Sequence, residues 1–358
     1  MSTLSRDHKR SLISAPLQTL ITAGVSFLTV YYLVRVGGVD TLGLWALGNL
    51  AVLYGAALVL GAHQKIARDF ARGNRQEAIT GLRSFSGGIF IVSAMVAIAV
   101  ACSAFIPNLF GTFDALSIIV LVLSASFWTL GLLARGPALY LGQFSQSNLL
   151  EASSAVLAFL LTVMLTQFFG VGPMQIWLPF LARSLSLFLA LVIAVRRQPE
   201  ILQAFVPGIP NPSETARFLR TNAGTSALWL ATSSRMVVLR TFFGAVLGPA
   251  ALGLLDVAMR VPTLLVNGVS SGNQTLLVGL SAALREGESD RIISLLFGLA
   301  QILILINVPL LFGYAAYADV MFHILVGTDI EQLTLLTWLT TAWVGVTAIN
   351  QITFWIVQ

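Results

Sequence analysis

Five ionisable residues lie inside long apolar runs of this chain: Glu151, Arg183, Arg235, Asp256 and Arg260. A charge at the centre of a bilayer costs about 2.5–3.5 kcal/mol on insertion scales, so such groups default to a functional assignment. Three of the five are cations and two are anions. A net positive interior suits an anionic group, and arginine's planar fork matches a phosphate. Asp256 and Arg260 are four residues apart and share a helix face. They read either as a self-neutralising pair that eases insertion, or as a carboxylate turning Arg260 towards a cavity. Arg235 has no opposite charge three or four positions away and reads as a contact for an anionic ligand; its other reading is a residue of the outer interface. Arg240 is assigned to the outer interface, its stem in lipid and its head in water. Arg183, which follows Pro179, is expected to meet Glu151 from the neighbouring helix; ligand contact is its other reading.

Neutral polar groups accompany these charges. Pro16, Gln18, Thr19, Thr22, Gly24 and Ser26 mark one helix as polar and bendable. Asn222, Thr225, Ser226, Thr232, Ser233 and Ser234 mark another, and Asn350, Gln351 and Thr353 a third. Sugar hydroxyls need such partners, although small residues also serve plain helix packing. The candidate ligand contacts are therefore Arg235, Arg260, Asp256, Arg183, Gln18 and Asn222. The tryptophans, Trp45 and Trp177 among them, are assigned to the membrane interface.

Other chemistries find little support. His8, His63 and His323 have no metal-site spacing. The single cysteine, Cys102, excludes a disulfide framework. No phosphate-binding loop ending in Lys-Ser/Thr occurs. No large polar loop could house a glycosyltransferase or polymerase. The chain reads as a non-enzyme with no cofactor.

The elements that carry these residues follow from composition. Of 358 residues, 57 % are hydrophobic and 10 % charged, against roughly a quarter charged in a soluble domain. Ten runs near the roughly 20 residues needed to span a bilayer fall at about 12–35, 42–62, 85–106, 115–134, 149–170, 174–195, 221–243, 250–275, 292–315 and 333–356. Short links at Gly37-Gly38-Val39-Asp40 and Gly170-Val171-Gly172-Pro173 predict helical hairpins. The first run is too long for a cleavable signal and lacks a cleavage site. Fifteen of the twenty Lys and Arg fall on the side of the N-terminus, and only Arg35 and Arg240 fall opposite. That asymmetry places the N-terminus in the cytoplasm.

The longest polar stretch, 196–220, separates two halves: a six-helix lobe at 1–200, a central cytoplasmic loop at 201–218 and a second lobe at 219–358. A shift of 210 residues lays Leu42-Gly43-Leu44 on Leu252-Gly253-Leu254, Gln64 on Gln274 and Arg75 on Arg285. This predicts parallel repeats, a pattern of transporters. The fold class is then an all-α membrane protein of about ten transmembrane helices in two related lobes. The second lobe has four helices and is expected to be truncated.

The segment from Tyr31-Tyr32-Leu33 through Gly37-Gly38-Val39-Asp40-Thr41 to Leu42-Gly43-Leu44-Trp45 resembles the first hairpin of polysaccharide-export flippases. Phe242-Phe243-Gly244 through Leu252-Gly253-Leu254 repeats it loosely. The likeness is to the O-antigen/teichoic-acid branch of the multidrug/oligosaccharidyl-lipid/polysaccharide exporter superfamily. It implies translocation of a polyprenyl-diphosphate-linked oligosaccharide across the bacterial cytoplasmic membrane for cell-surface polysaccharide biosynthesis. Two lobes would alternate access to a cavity without ATP. A polysaccharide polymerase and glycosyltransferases are the implied partners; nucleic acid is not. The competing expectations are a cation-coupled multidrug antiporter, using Asp256 or Glu151, and an accessory subunit of a glycan synthesis complex.

Overall fold

The computed structural model describes residues 6–59, 62–71, 74–103, 114–141, 144–196, 198–205, 211–221, 223–286, 289–326 and 334–346, and among these there is no strand. In lipid the backbone must satisfy its own hydrogen bonds, which a helix does locally. The elements are α1 (Arg6–Leu58), α2 (Ala62–Ala71), α3 (Arg75–Ser103), α4 (Ala115–Tyr140), α5 (Phe144–Phe169) and α6 (Pro173–Ala194). They continue as α7 (Pro199–Gln203), α8 (Pro212–Thr221), α9 (Ala223–Glu286), α10 (Ser289–Ala316), α11 (Ala318–Val326) and α12 (Thr334–Val346).

Two of these are hairpins in disguise. Gly38 interrupts α1 at φ 72, ψ −168, and Gly248 interrupts α9 at φ 89, ψ 172. Only glycine occupies that region without strain. The chain reverses at both. Arg240 and Asp256, sixteen residues apart, form an ion pair at 2.7 Å, whereas a straight helix would hold them about 24 Å apart. In α1, Thr29 and Trp45 line one cavity across the same interval.

The reversals also locate the repeat. Gly38 and Gly248 are separated by the 210-residue shift read from the sequence, and so are Gly43 and Gly253, which meet. A Cβ added to Gly43 would lie 2.5 Å from the Pro249 carbonyl, and one on Gly253 would lie 2.8 Å from the Gly43 nitrogen. The second arms of α1 and α9 therefore touch backbone to backbone beside their turns.

Among the described residues, six stretches are long and apolar enough to cross a bilayer, and a seventh is the pair Ile304–Ala316 and Ala318–Ile324, bent by 61°. Leu17–Ala56 and Ser234–Val266 each contain a reversal, so each holds two of the expected runs. The tenth run is described only as Thr334–Val346. The second run ends sooner than expected: α1 stops at Leu58, and α2 is a separate amphipathic helix.

Two buried clusters organise the interior. One packs Ile66, Phe70, Leu82, Leu130, Leu191 and Phe218 within the first lobe. The other crosses the seam, joining Leu33, Trp45, Trp177 and Phe180 to Val257, Ala258 and Phe322. Trp45 and Trp177, expected at the membrane interface, are buried in this cluster. They are 7 % and 1 % exposed, and the Trp177 indole donates to the Leu44 carbonyl at 2.7 Å.

Candidate functional site

Three of the charged residues, Arg240, Asp256 and Arg260, cluster on α9 where it packs against Trp45 of α1. Asp256 is 2 % exposed. Its two carboxylate oxygens each accept from a different arginine: Arg240 Nη2 on Oδ1 and Arg260 Nη2 on Oδ2, both at 2.7 Å. The cluster holds two positive charges and one negative. The intrahelical half of this arrangement was legible from spacing. The other half was not, and Arg240 is corrected from an interfacial residue to an ion-pair partner. Its signal is symmetry about a turn, since 240 and 256 lie eight residues either side of Gly248.

Three of the arginines lie on tryptophan faces. The guanidinium carbon of Arg260 is 3.9 Å from the Trp45 ring centre, Arg235 is 5.0 Å from Trp343, and Arg183 is 5.0 Å from Trp128. Such contacts stabilise a cation by about 0.5–2 kcal/mol, more when water is excluded. They leave the guanidinium edge available. The Nε donors of Arg183, Arg235, Arg240 and Arg260 are buried and meet no hydrogen-bond acceptor. A buried donor in that condition costs about 1–3 kcal/mol.

Glu151 does not form the expected ion pair with Arg183. Its carboxylate lies 3.2 Å from Arg135 Nη1. Arg135 also reaches Asn148 at 3.4 Å, and Asn148 donates to Ser14 at 3.2 Å. Arg183 instead lines a cavity of about 30 Å³ with Ser26, Thr29, Trp45, Thr162, Pro179 and Phe180. The hydroxyls of Thr29 and Thr162 donate to carbonyls one turn back.

Gln18 stays with its own helix, its amide 3.4 Å from Thr22 Oγ1. Asn222 lies outside the described residues. Tyr54 was not singled out by the sequence, yet its hydroxyl meets Thr241 Oγ1 at 2.6 Å across the seam. Among the described residues no group of three or more His, Cys, Asp or Glu could hold a metal ion.

No family model matches this sequence, and no curated protein matches it. Solved structures do share its fold. A transporter of the MOP superfamily from Pyrococcus furiosus, described by the reverse polarity of its binding pocket, superposes with a TM-score of 0.67 at 14 % identity, covering 99 % of this chain and 84 % of its own. A multidrug resistance MATE family transporter in an outward-facing conformation gives 0.60 at 16 % identity, over 95 % and 81 %. An inward-facing conformation of such a transporter gives 0.54 at 16 %, over 98 % and 82 %. At those identities the likeness establishes the fold, an all-α membrane architecture of two lobes.

Proposed function

We propose that this protein is a secondary transporter that moves an anionic, lipid-linked glycan precursor across the bacterial cytoplasmic membrane by alternating access of its two lobes. The observation that carries this reading is the imbalance of buried donors over acceptors. Both in-span carboxylates already accept from arginines, Asp256 from two and Glu151 from Arg135. Four in-span arginines keep an unmet Nε donor. A diphosphate supplies oxygens in the geometry a guanidinium edge prefers. The lipid tail would stay in the bilayer while the seam handles the headgroup.

A shared fold does not fix a substrate. It supports alternating access, because solved relatives of the fold are described in both outward-facing and inward-facing conformations. The same descriptions favour a second reading, a multidrug antiporter driven by a cation. That mechanism needs a carboxylate free to take up the ion, and neither Asp256 nor Glu151 is free.

The test pairs Arg235→Gln with Arg260→Gln. Glycan export by cells carrying the double variant should fall at least tenfold while protein level holds. Unchanged export would remove the assignment, and altered drug susceptibility in its place would establish the second reading.

A further inference from the structure

Of the three arginine–tryptophan contacts, one joins the two halves. Arg183 and Trp128 both belong to the first half, and Arg235 and Trp343 both belong to the second. Arg260 follows Gly248 in α9, whereas Trp45 follows Gly38 in α1. At 3.9 Å it is also the tightest of the three.

A guanidinium can lie flat on an aromatic face and hydrogen-bond through its edge at the same time. Arg260 does both. Its Nη2 is held by Asp256 at 2.7 Å, its plane rests on Trp45, and its Nε–H is buried without an acceptor. The two supports have different origins. Asp256 sits one turn earlier on the same helix and travels with Arg260 in any motion. Trp45 sits on the other lobe. It is a firm platform, packed against Phe180 with ring centres 6.0 Å apart and carried on an arm pinned by the Trp177–Leu44 hydrogen bond. Separating the lobes beside their turns takes Trp45 away and leaves Asp256 in place.

We infer that Trp45 is a positioning residue for the anionic ligand. It sets the plane of Arg260 only while the seam is shut, so the ligand is held tightly in this conformation and loosely once the seam opens. This deepens the ligand assignment made above and rests on it.

The test uses the full chain in detergent, with inorganic pyrophosphate as the probe and calorimetry as the readout. In a Cys102→Ala background, Tyr54→Cys and Thr241→Cys are bridged by a short bismaleimide, since these positions meet across the seam. The bridge fixes the seam shut, so any effect of Trp45 on closure is removed. Trp45→Ala in the bridged protein should bind pyrophosphate about tenfold more weakly, the upper range for loss of a desolvated cation–aromatic contact. Trp45→Phe should recover binding to within about threefold, because the aromatic face returns. Equal affinity of the bridged parent and bridged Trp45→Ala would overturn the inference and leave Trp45 a seal. So would a Trp45→Phe variant as weak as Trp45→Ala. If the bridged parent binds no pyrophosphate, or Arg260→Gln binds as well as the parent, the ligand assignment itself falls and this inference falls with it.

Discussion

Asp256 shows how one buried carboxylate can organise a site. Removing its charge leaves Arg240 and Arg260, both largely buried, without their shared carboxylate. Breaking a buried ion pair from one side costs about 3–5 kcal/mol, because the partner's charge stays uncompensated. Asp256→Asn should therefore lower the unfolding free energy in detergent by about that amount. Adding Arg240→Met should return part of it, since one of the stranded charges is then gone. An Asp256→Asn protein as stable as the parent would mean that the two arginines find other acceptors. His63, in α2 outside the spanning stretches, offers a pH handle. Burial, and then the Arg135 charge, push its pKa from 6.5 down to about 4. The folded protein thus holds the imidazole neutral while the unfolded chain protonates it. This contribution is complete above pH 6.5 and is lost progressively between pH 6.5 and about 4. Melting temperature should fall over that window, and His63→Gln should flatten the fall.

At the scale of elements, turns and close approaches govern the structure. Gly38 and Gly248 adopt a backbone region closed to side chains, and the chain reverses at each, where the sequence already separates two apolar runs. Gly43 and Gly253 let two helices meet at backbone distance. Gly43→Val would insert a side chain where the Pro249 carbonyl already stands, and neither backbone can yield cheaply. The expected outcome is a seam held apart, read as a several-fold drop in bismaleimide bridging between Tyr54→Cys and Thr241→Cys. Bridging at the parent rate would show that the helices can slide past the added methyls. Proline acts by subtraction. Pro262 has no N–H to give the Ala258 carbonyl one turn back. That carbonyl instead accepts from the Tyr314 hydroxyl at 3.3 Å and Thr340 Oγ1 at 3.4 Å. A break in one helix thereby becomes a tie between α9, α10 and α12.

At the scale of the molecule, the polar connector is part of the first lobe's structure. Phe218 of α8 presses on Gly81, and Lys65 holds Asp69 at 2.6 Å and Glu77 at 3.1 Å with its ammonium 4.7 Å from the Phe218 ring centre. Arg75 adds Glu200 at 3.2 Å, and Ser86 donates to the Ala204 carbonyl at 2.6 Å. Among the described residues of the segment read as a loop at 201–218, 201–203 and 212–218 are helical and pack on α3. Phe218→Ala should undock α8 and speed tryptic cleavage at the exposed Arg217 and Arg220; an unchanged cleavage rate would mean that the ion pairs suffice. We propose, from the distribution of Lys and Arg, that this face is cytoplasmic. Ser213→Cys, exposed in α8, should then react with an impermeant maleimide in inside-out vesicles and not in intact cells.

Hydropathy was enough to read a helical membrane protein, and the 210-residue shift to find the matching turns at Gly38 and Gly248. Lipid leaves the backbone few alternatives, and a repeat writes itself into residue identities. The Asp256–Arg260 pair was equally legible, because helix spacing is fixed by geometry. The partners of Arg183, Glu151, Arg240 and Trp45 were decided only in three dimensions. Each depends on which helices pack side by side and how they are rotated. Those are properties of non-local packing, which the sequence encodes only through the sum of its contacts.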